Sequence, residues 1–237
     1  MHQQCEGFTT FAEWDFEANT TYPLLLHEAY VRLYPAQVIK QADLVLAMQF
    51  QSHAFTAEQK ARNVDYYERR MVRDSSLSAC TQAVMCAEVG HLELAHDYAY
   101  EAGLIDLRDL HRNTRDGLHM ASLAGAWTAL VGGFGGLRDD EGVLSIDPQL
   151  PDGISRLRFR LRWRDFGVTV DANHSDVTYT LRDGPGGELT IRHAGEDIKL
   201  DTSSPSTIAV RPRKPLLPPP PQPPGREPIH RRRIGGH

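Results

Sequence analysis

Two hydrophobic periods divide this chain. Up to about Gly136 the apolar positions recur at helical spacing, and beyond it they alternate in strict pairs. In the first part, Tyr34-Pro35 predicts a helix start, and Ile39, Leu44, Val45, Leu46, Ala47, Met48 and Phe50 run nearly all the way round, as in a helix buried on most sides. Lys40, Gln41 and Asp43 interrupt that run near its N-terminal end. Buried polar groups of this kind must pair, as Lys40 with Asp43 at i, i+3, or line a cavity. A second helix, about Ala57 to Tyr67, is polar on one face through Glu58, Lys60, Arg62 and Asp65, which predicts a peripheral position. Asp74 or Ser75 can cap a third helix, made core-facing by Leu77, Ala79, Ala83, Val84, Met85 and Ala87 and stopped by Gly90. The fourth, His91 to Ala102, is amphipathic and outer. The fifth, capped by Asp116 and helical from Leu118, carries a small-residue stripe (Ser122, Gly125, Ala126, Ala129) beside a bulky one (Leu118, Leu123, Trp127, Leu130, Phe134). Apolar helices alternating with more polar ones predict inner and outer rings of helical hairpins. The polar groups Lys40, Gln41, Glu68, Asp74, Ser75, Ser76 and His119 all fall at or before N-terminal ends of inner helices, which places them at one mouth.

Six short period-2 segments follow between about Val143 and Asp201, separated by Gly, Asp and Pro turns, and predict a small antiparallel β-sandwich. Leu157, Phe159, Leu161 and Trp163 alternate with Arg156, Arg158, Arg160 and Arg162, an arginine face that either attracts anions or is simply solvated. Ten of the 15 prolines lie between Pro205 and Pro228, and the chain ends in HRRRIGGH, so residues 203–237 read as a disordered, polyproline-rich tail. The domain expectation is therefore residues 1–136 helical, 137–202 sandwich and 203–237 tail, an α+β chain. The aromatic-rich stretch Met1 to Leu33 has no period and needs a pre-formed surface to lie on, which leads to the expectation that the chain begins mid-domain.

Composition narrows the function classes. The 237 residues are 41% hydrophobic and 24% charged with a formal net charge of −5, which is ordinary globular material without the basic footprint of a nucleic-acid binder. No run of 18 apolar residues occurs and the N-terminus lacks a signal-peptide layout, so a cytoplasmic protein with no membrane span is expected. Cys80 and Cys86 point to different helix faces, and neither the three cysteines nor the 11 histidines show metal-ligand spacing, so no metal and no organic cofactor are expected. His119, in the first turn of its helix, sits where free N–H groups and the helix dipole favour an anion; packing or capping is the competing reading.

Three ordered motifs resemble one family. QVIKQADLVLAM (Gln37 to Met48), NVDYYERRMVRDSSLS (Asn63 to Ser78) and NTRDGLHMASLAGAWTALVGGFGGLRDDEGVLSIDPQLP (Asn113 to Pro151) look like the C-terminal part of glycoside hydrolase family 65, which contains inverting phosphorylases for maltose, trehalose and kojibiose. The resemblance runs from about Phe8 to Leu181. It implies the C-terminal portion of an (α/α)6 helical barrel followed by a small β-sandwich, and a reaction in which inorganic phosphate, as co-substrate, displaces a sugar from an α-linked glucose disaccharide to release β-glucose 1-phosphate. By resemblance, Lys40 and Gln41 match a sugar-binding Lys-Gln pair, Glu68 matches a glutamate contacting sugar hydroxyls, and Ser75, Ser76, His119 and Ser122 fall on motif positions of the phosphate side. Arg69 and Arg73 depart from the family pattern, where proline and histidine are frequent. No Glu-Tyr-His-type motif for the general acid occurs in the chain, so the resemblance implies a fragment whose catalytic acid lies upstream and which is inactive alone. A homodimer of the full-length enzyme remains open. A related hydrolase, needing a second carboxylate to activate water, and a non-catalytic carbohydrate-binding or interaction remnant are the alternatives.

Overall fold

The computed structural model describes residues 1–229 and residue 231, and these form two compact units. One comprises Met1–Ala129 together with the chain from Pro215 onward; the other is Leu130–Lys214.

The helical unit contains α1 (Leu24–His27), α2 (Tyr30–Leu33), α3 (Asp43–Phe50), α4 (Ala57–Glu68), α5 (Ser78–Glu88), α6 (Leu92–Leu104) and α7 (Met120–Thr128). The central element is α5, with Ala79, Ala83, Val84, Met85, Cys86 and Ala87 all buried. Gly90 ends it at φ 89°, a left-handed conformation that a Cβ would strain, and the following His91 N–H reaches back to the Cys86 carbonyl at 2.8 Å. A reciprocal capping box starts α4: the Thr56 hydroxyl accepts from Gln59 N–H and the Gln59 side chain accepts from Thr56 N–H.

Several helix expectations need correction. The helix anticipated from Pro35 begins only at Asp43, because Ile39 is drawn into a parallel bridge with Met71, accepting from Val72 N–H and donating to the Arg70 carbonyl. An all-round apolar run cannot distinguish an extended segment from a buried helix, and the β-branched Val38 and Ile39 favour the former. The second helix is not peripheral: Lys60, Asn63 and Glu68 on α4 are buried alongside Ala61, Val64 and Tyr67. Lys60 is compatible with burial because its ammonium donates to Ser52 Oγ at 2.5 Å and Glu88 Oε1 at 2.8 Å. Neither Asp74 nor Ser75 is the N-cap of α5; that position is Leu77, while the Ser75 hydroxyl accepts from Leu77 N–H just outside the helix. Asp116 lies in a 3-10 turn rather than capping α7, whose N-cap is His119.

The two stripes of α7 separate as their sizes require. The small face packs inward: a Cβ on Gly125 would stand 2.5 Å from Cys80 Sγ, so only glycine permits the observed approach to α5. The bulky face, with Leu118, Met120, Leu123 and Trp127, is exposed.

The second unit holds two four-stranded sheets, from β1 (Arg138–Asp140), β2 (Val143–Ser145), β3 (Leu157–Trp163), β4 (Phe166–Ala172), β5 (Asp176–Asp183), β6 (Glu188–His193), β7 (Glu196–Asp201) and β8 (Ser206–Ala209), ordered β1-β2-β6-β7 and β3-β4-β5-β8. All six anticipated strands are present, with β1 and β8 in addition. The pairing is antiparallel except for β2 with β6, a parallel contact at Ser145 and Arg192. Alternation in β3 buries Phe159 and points the arginines outward, where Arg156 and Arg158 meet Asp171 and Arg162 meets Asp183 across the strands.

The tail expectation is overturned for the described residues. Ser206–Ala209 is β8, paired with β5, and from Pro215 the chain returns to the helical unit with Pro220, Pro223 and Pro228 buried. Proline-rich composition prevents a segment from building its own core but not from lying on an existing one. The last part of that expectation, His230 and residues 232–237, lies outside the described residues.

Candidate functional site

Glu68 closes α4 and is buried at 4% exposure. Its Oε1 accepts from Gln82 Nε2 at 2.6 Å on α5, and its Oε2 accepts from the Tyr98 hydroxyl at 2.7 Å on α6 and from Gln222 Nε2 at 3.3 Å. Burial pushes the carboxyl pKa above the usual carboxylate range, against the pull of these three donors and of the nearby Arg73 charge. The Tyr98 hydroxyl is pushed well above its ordinary value by burial and by the adjacent carboxylate.

Beyond α4 the chain turns through Arg73 at φ 53°, and the Arg73 side chain is 2% exposed. Its Nη1 donates to Glu101 Oε1 at 2.6 Å and its Nη2 to the carbonyls of Arg226 and Glu227 at 2.5 and 2.7 Å; the guanidinium also lies 5.1 Å from the Tyr98 ring centroid. Asp74 accepts from Leu25 N–H at 3.2 Å and from Arg226 Nη2 at 3.1 Å. These charges surround a cavity of about 720 Å³ whose walls include Tyr22, Lys40, Arg73, Asp74, His111, Arg112 and Arg226.

The sequence-derived residues fall into separate groups. Lys40 is exposed and lines the cavity. Gln41 is half-buried and accepts from Ser75 Oγ at 2.8 Å, while Ser78 Oγ donates to the Lys40 carbonyl at 3.1 Å, so the loop before α3 and the loop before α5 are tied together. Ser76 is half-buried in the second loop. Glu68 sits behind Arg73 and Tyr98 and is not on the cavity wall. His119 is engaged elsewhere: both its N–H and its Nδ1 meet the Asp106 carboxylate, at 2.8 and 2.5 Å. The hydrogen bonds from His119 hold the Asp106 pKa below the usual carboxylate range, so the histidine is occupied by an acid at the position where an anion was anticipated. Its ring touches that of His111 edge-on at 5.8 Å, and His111 itself lines the cavity. Ser122 is fully buried on α7, with its Oγ lacking a hydrogen-bond partner among the described residues.

Sequence reasoning missed Glu101, His111, Arg112, Gln222 and Arg226. Arg73 stood out only as a departure from a motif. The signal that could have found the pair from the C-terminal segment was an arginine following a Pro-Gly turn at the end of the uncharged run of residues 215–225. Among the described residues no group of three His, Cys, Asp or Glu side chains could hold a metal ion, and no helix is long and apolar enough to cross a membrane.

Comparison with known proteins places this arrangement. Residues 1–128 match the glycosyl hydrolase family 65 central catalytic domain and residues 137–200 the family's C-terminal domain. An uncharacterized glycosyl hydrolase of Mycobacterium leprae is 90% identical over 98% of the chain and 29% of its own length. An α,α-trehalose phosphorylase of Geobacillus stearothermophilus is 38% identical over 88% of the chain and 27% of its own length. A solved structure described as a candidate kojibiose phosphorylase from the human microbiome superposes with a TM-score of 0.80 at 27% identity, covering 88% of the chain and 29% of that protein. The chain thus spans less than a third of the length of the relatives it matches. Two adjoining family models in family order, together with the fold, establish that the chain belongs to glycosyl hydrolase family 65.

Proposed function

We propose that the chain supplies the C-terminal part of an inverting, phosphate-dependent α-glucosidic disaccharide phosphorylase. Phosphate oxygen attacks the anomeric carbon as the glycosidic C–O bond breaks, the departing sugar oxygen takes a proton from a carboxylic acid, and β-glucose 1-phosphate is released. That acid belongs to the portion of the relatives that this chain does not span, so the chain alone is inactive. Lys40 and Gln41 serve as sugar ligands: an ammonium offers three donors and an amide both donors and an acceptor, which suits vicinal hydroxyls. Glu68 is the third sugar ligand. The helical unit corresponds in this reading to part of an (α/α)6 barrel, and the enzyme needs inorganic phosphate as co-substrate and no organic cofactor.

The observation that carries the reading is the cavity beside Lys40, large enough for a sugar ring and an anion and lined by Lys40, Arg73, Arg112 and Arg226 against Asp74 and Glu101. On the phosphate side, the cationic wall with His111 is better placed than the Asp106-bound His119. Gln82 and Tyr98, fixed on α5 and α6, each donate to one Glu68 oxygen, which weighs against the hydrolase alternative, in which this carboxylate would have to bind and deprotonate water. The test is reconstitution. The chain is mixed or co-expressed with the preceding part of a close relative and glucose 1-phosphate release from trehalose, kojibiose and maltose is measured with and without phosphate. Phosphate-dependent release by the mixture and none by the chain alone is the expected result. Phosphate-independent hydrolysis would overturn it.

A further inference from the structure

The segment from Pro215 to Ile229 touches the helical unit at Glu68, assigned above to sugar binding, and is held beside it through a reciprocal grip. Arg73 donates to two carbonyls of the segment, those of Arg226 and Glu227. Arg226 in turn donates through Nε to the Val72 carbonyl and through Nη2 to Asp74 Oδ1, with its guanidinium 4.5 Å from the Tyr22 ring centroid. Glu101, the ion-pair partner of Arg73, accepts from Ile229 N–H at 2.9 Å. Gly225, at φ 73°, makes the turn that swings Arg226 back onto Val72. Upstream of that turn, Gln222 Nε2 donates to Glu68 Oε2. An amide N–H at this point has the chemistry of a sugar hydroxyl: a neutral donor aimed at a carboxylate that already holds its other partners. Between these fixed points the segment has no helix or strand, and Leu216 and Pro221 are exposed, so no backbone ladder holds it and its attachment rests on side-chain contacts.

We propose that residues 215–229 are a strap that closes the candidate sugar site, with Gln222 in the hydrogen-bond position on Glu68 that a sugar hydroxyl takes and with the Arg73–Arg226 exchange as its latch. Sugar reaches Glu68 only when the latch opens. The proposal rests on the reading of Glu68 as a sugar ligand, and the experiment separates the two. In the full 237-residue chain, Glu68 is labelled with a water-soluble carbodiimide and an amine, and the rate is read by mass spectrometry against exposed Glu17. Glu68 in the unaltered chain reacts far more slowly than Glu17. Arg226→Ala raises the Glu68 rate at least about tenfold, the change expected from losing a charge-assisted hydrogen bond, while hydrogen exchange in α5 stays unchanged and excludes unfolding. Gln222→Ala, which leaves the latch in place, produces a smaller rise. Glucose, but not sorbitol, then slows labelling in the Arg226→Ala chain. Rapid labelling of Glu68 in the unaltered chain, or no response to either substitution, overturns the strap whatever the sugar does. Faster labelling that glucose does not slow overturns the sugar reading of Glu68, and with it the competition between strap and sugar.

Discussion

Arg73→Met tests whether the buried charge network is a real constraint. The substitution keeps most of the aliphatic volume and removes three donated hydrogen bonds, at 2.6, 2.5 and 2.7 Å, from a side chain that is 2% exposed. Glu101, 13% exposed, then loses its ion pair with Arg73, while its other oxygen still accepts from Ile229 N–H. Removing one member of a buried pair costs about 3–5 kcal/mol, mainly because the remaining charge is left desolvated. The two stranded carbonyls lie on the C-terminal segment, which can swing toward water, so the lower half of that range is expected. Urea unfolding followed by helical circular dichroism measures the loss, and the double variant Arg73→Met with Glu101→Gln should recover at least about 1 kcal/mol of it, since the carboxylate that lost its Arg73 partner is gone. A loss below about 1 kcal/mol in the single variant, or no recovery in the double, would refute a desolvated pair.

Three further outcomes follow from the same geometry. Gly125→Ala places a Cβ 2.5 Å from Cys80 Sγ and should cost about 1–3 kcal/mol by overpacking, with Cys80→Ala restoring most of it in a thermal melt; no change in melting temperature would show that α5 and α7 are not in that contact. Glu68 has a folded pKa raised by burial, so its contribution to stability is fully present below the unfolded carboxyl value of 4.5 and is lost as pH rises through the folded value. The stability of the unaltered chain relative to Glu68→Gln should therefore fall as pH rises across that window, and identical pH profiles would contradict the assignment. Leu123→Ser with Trp127→Ser, on the exposed face of α7, should lower concentration-dependent self-association in light scattering, because that face is the largest run of bulky apolar groups on the helix; unchanged scattering would place the association elsewhere.

What the sequence disclosed depended on period and spacing. Strand alternation from Leu157 to Trp163 survives intact because one face is buried and a one-residue slip would expose Phe159. The apolar run of α5 and its glycine stop were equally legible, since both are local. The start of α3 was not, because the residues before it are claimed by Met71 through a contact 32 positions away that no local pattern encodes. His119 shows the same limit at the level of chemistry. A helix N-terminus attracts anions in general, but Asp106, carried in from the end of α6, already supplies one. The C-terminal segment was misread because composition reports whether a segment can build a core, not whether a neighbouring surface holds complementary charges.

The position of Glu68 shows how these levels combine. A carboxylate at the end of a helix is ordinarily solvated, and the motif alone assigns it to sugar hydroxyls. Here three different elements supply donors to it: Gln82 from α5, Tyr98 from α6 and Gln222 from the C-terminal segment. Two of these come from helices fixed by the core and make the carboxylate a rigid acceptor, since both Tyr98 and Gln82 are buried around it. The third is the longest of the three and comes from a segment without helix or strand. A group held firmly on two sides and loosely on the third is arranged for exchange on the third side alone, and any ligand that replaces Gln222 must bring a donor of its own to a desolvated acid. Sugars do so through hydroxyls. Phosphate, negatively charged near neutral pH, would be repelled by a carboxylate; in the proposed reading this separates Glu68 from the cationic Arg112 and Arg226 of the cavity wall, leaving hydroxyls to the first and the anion to the second.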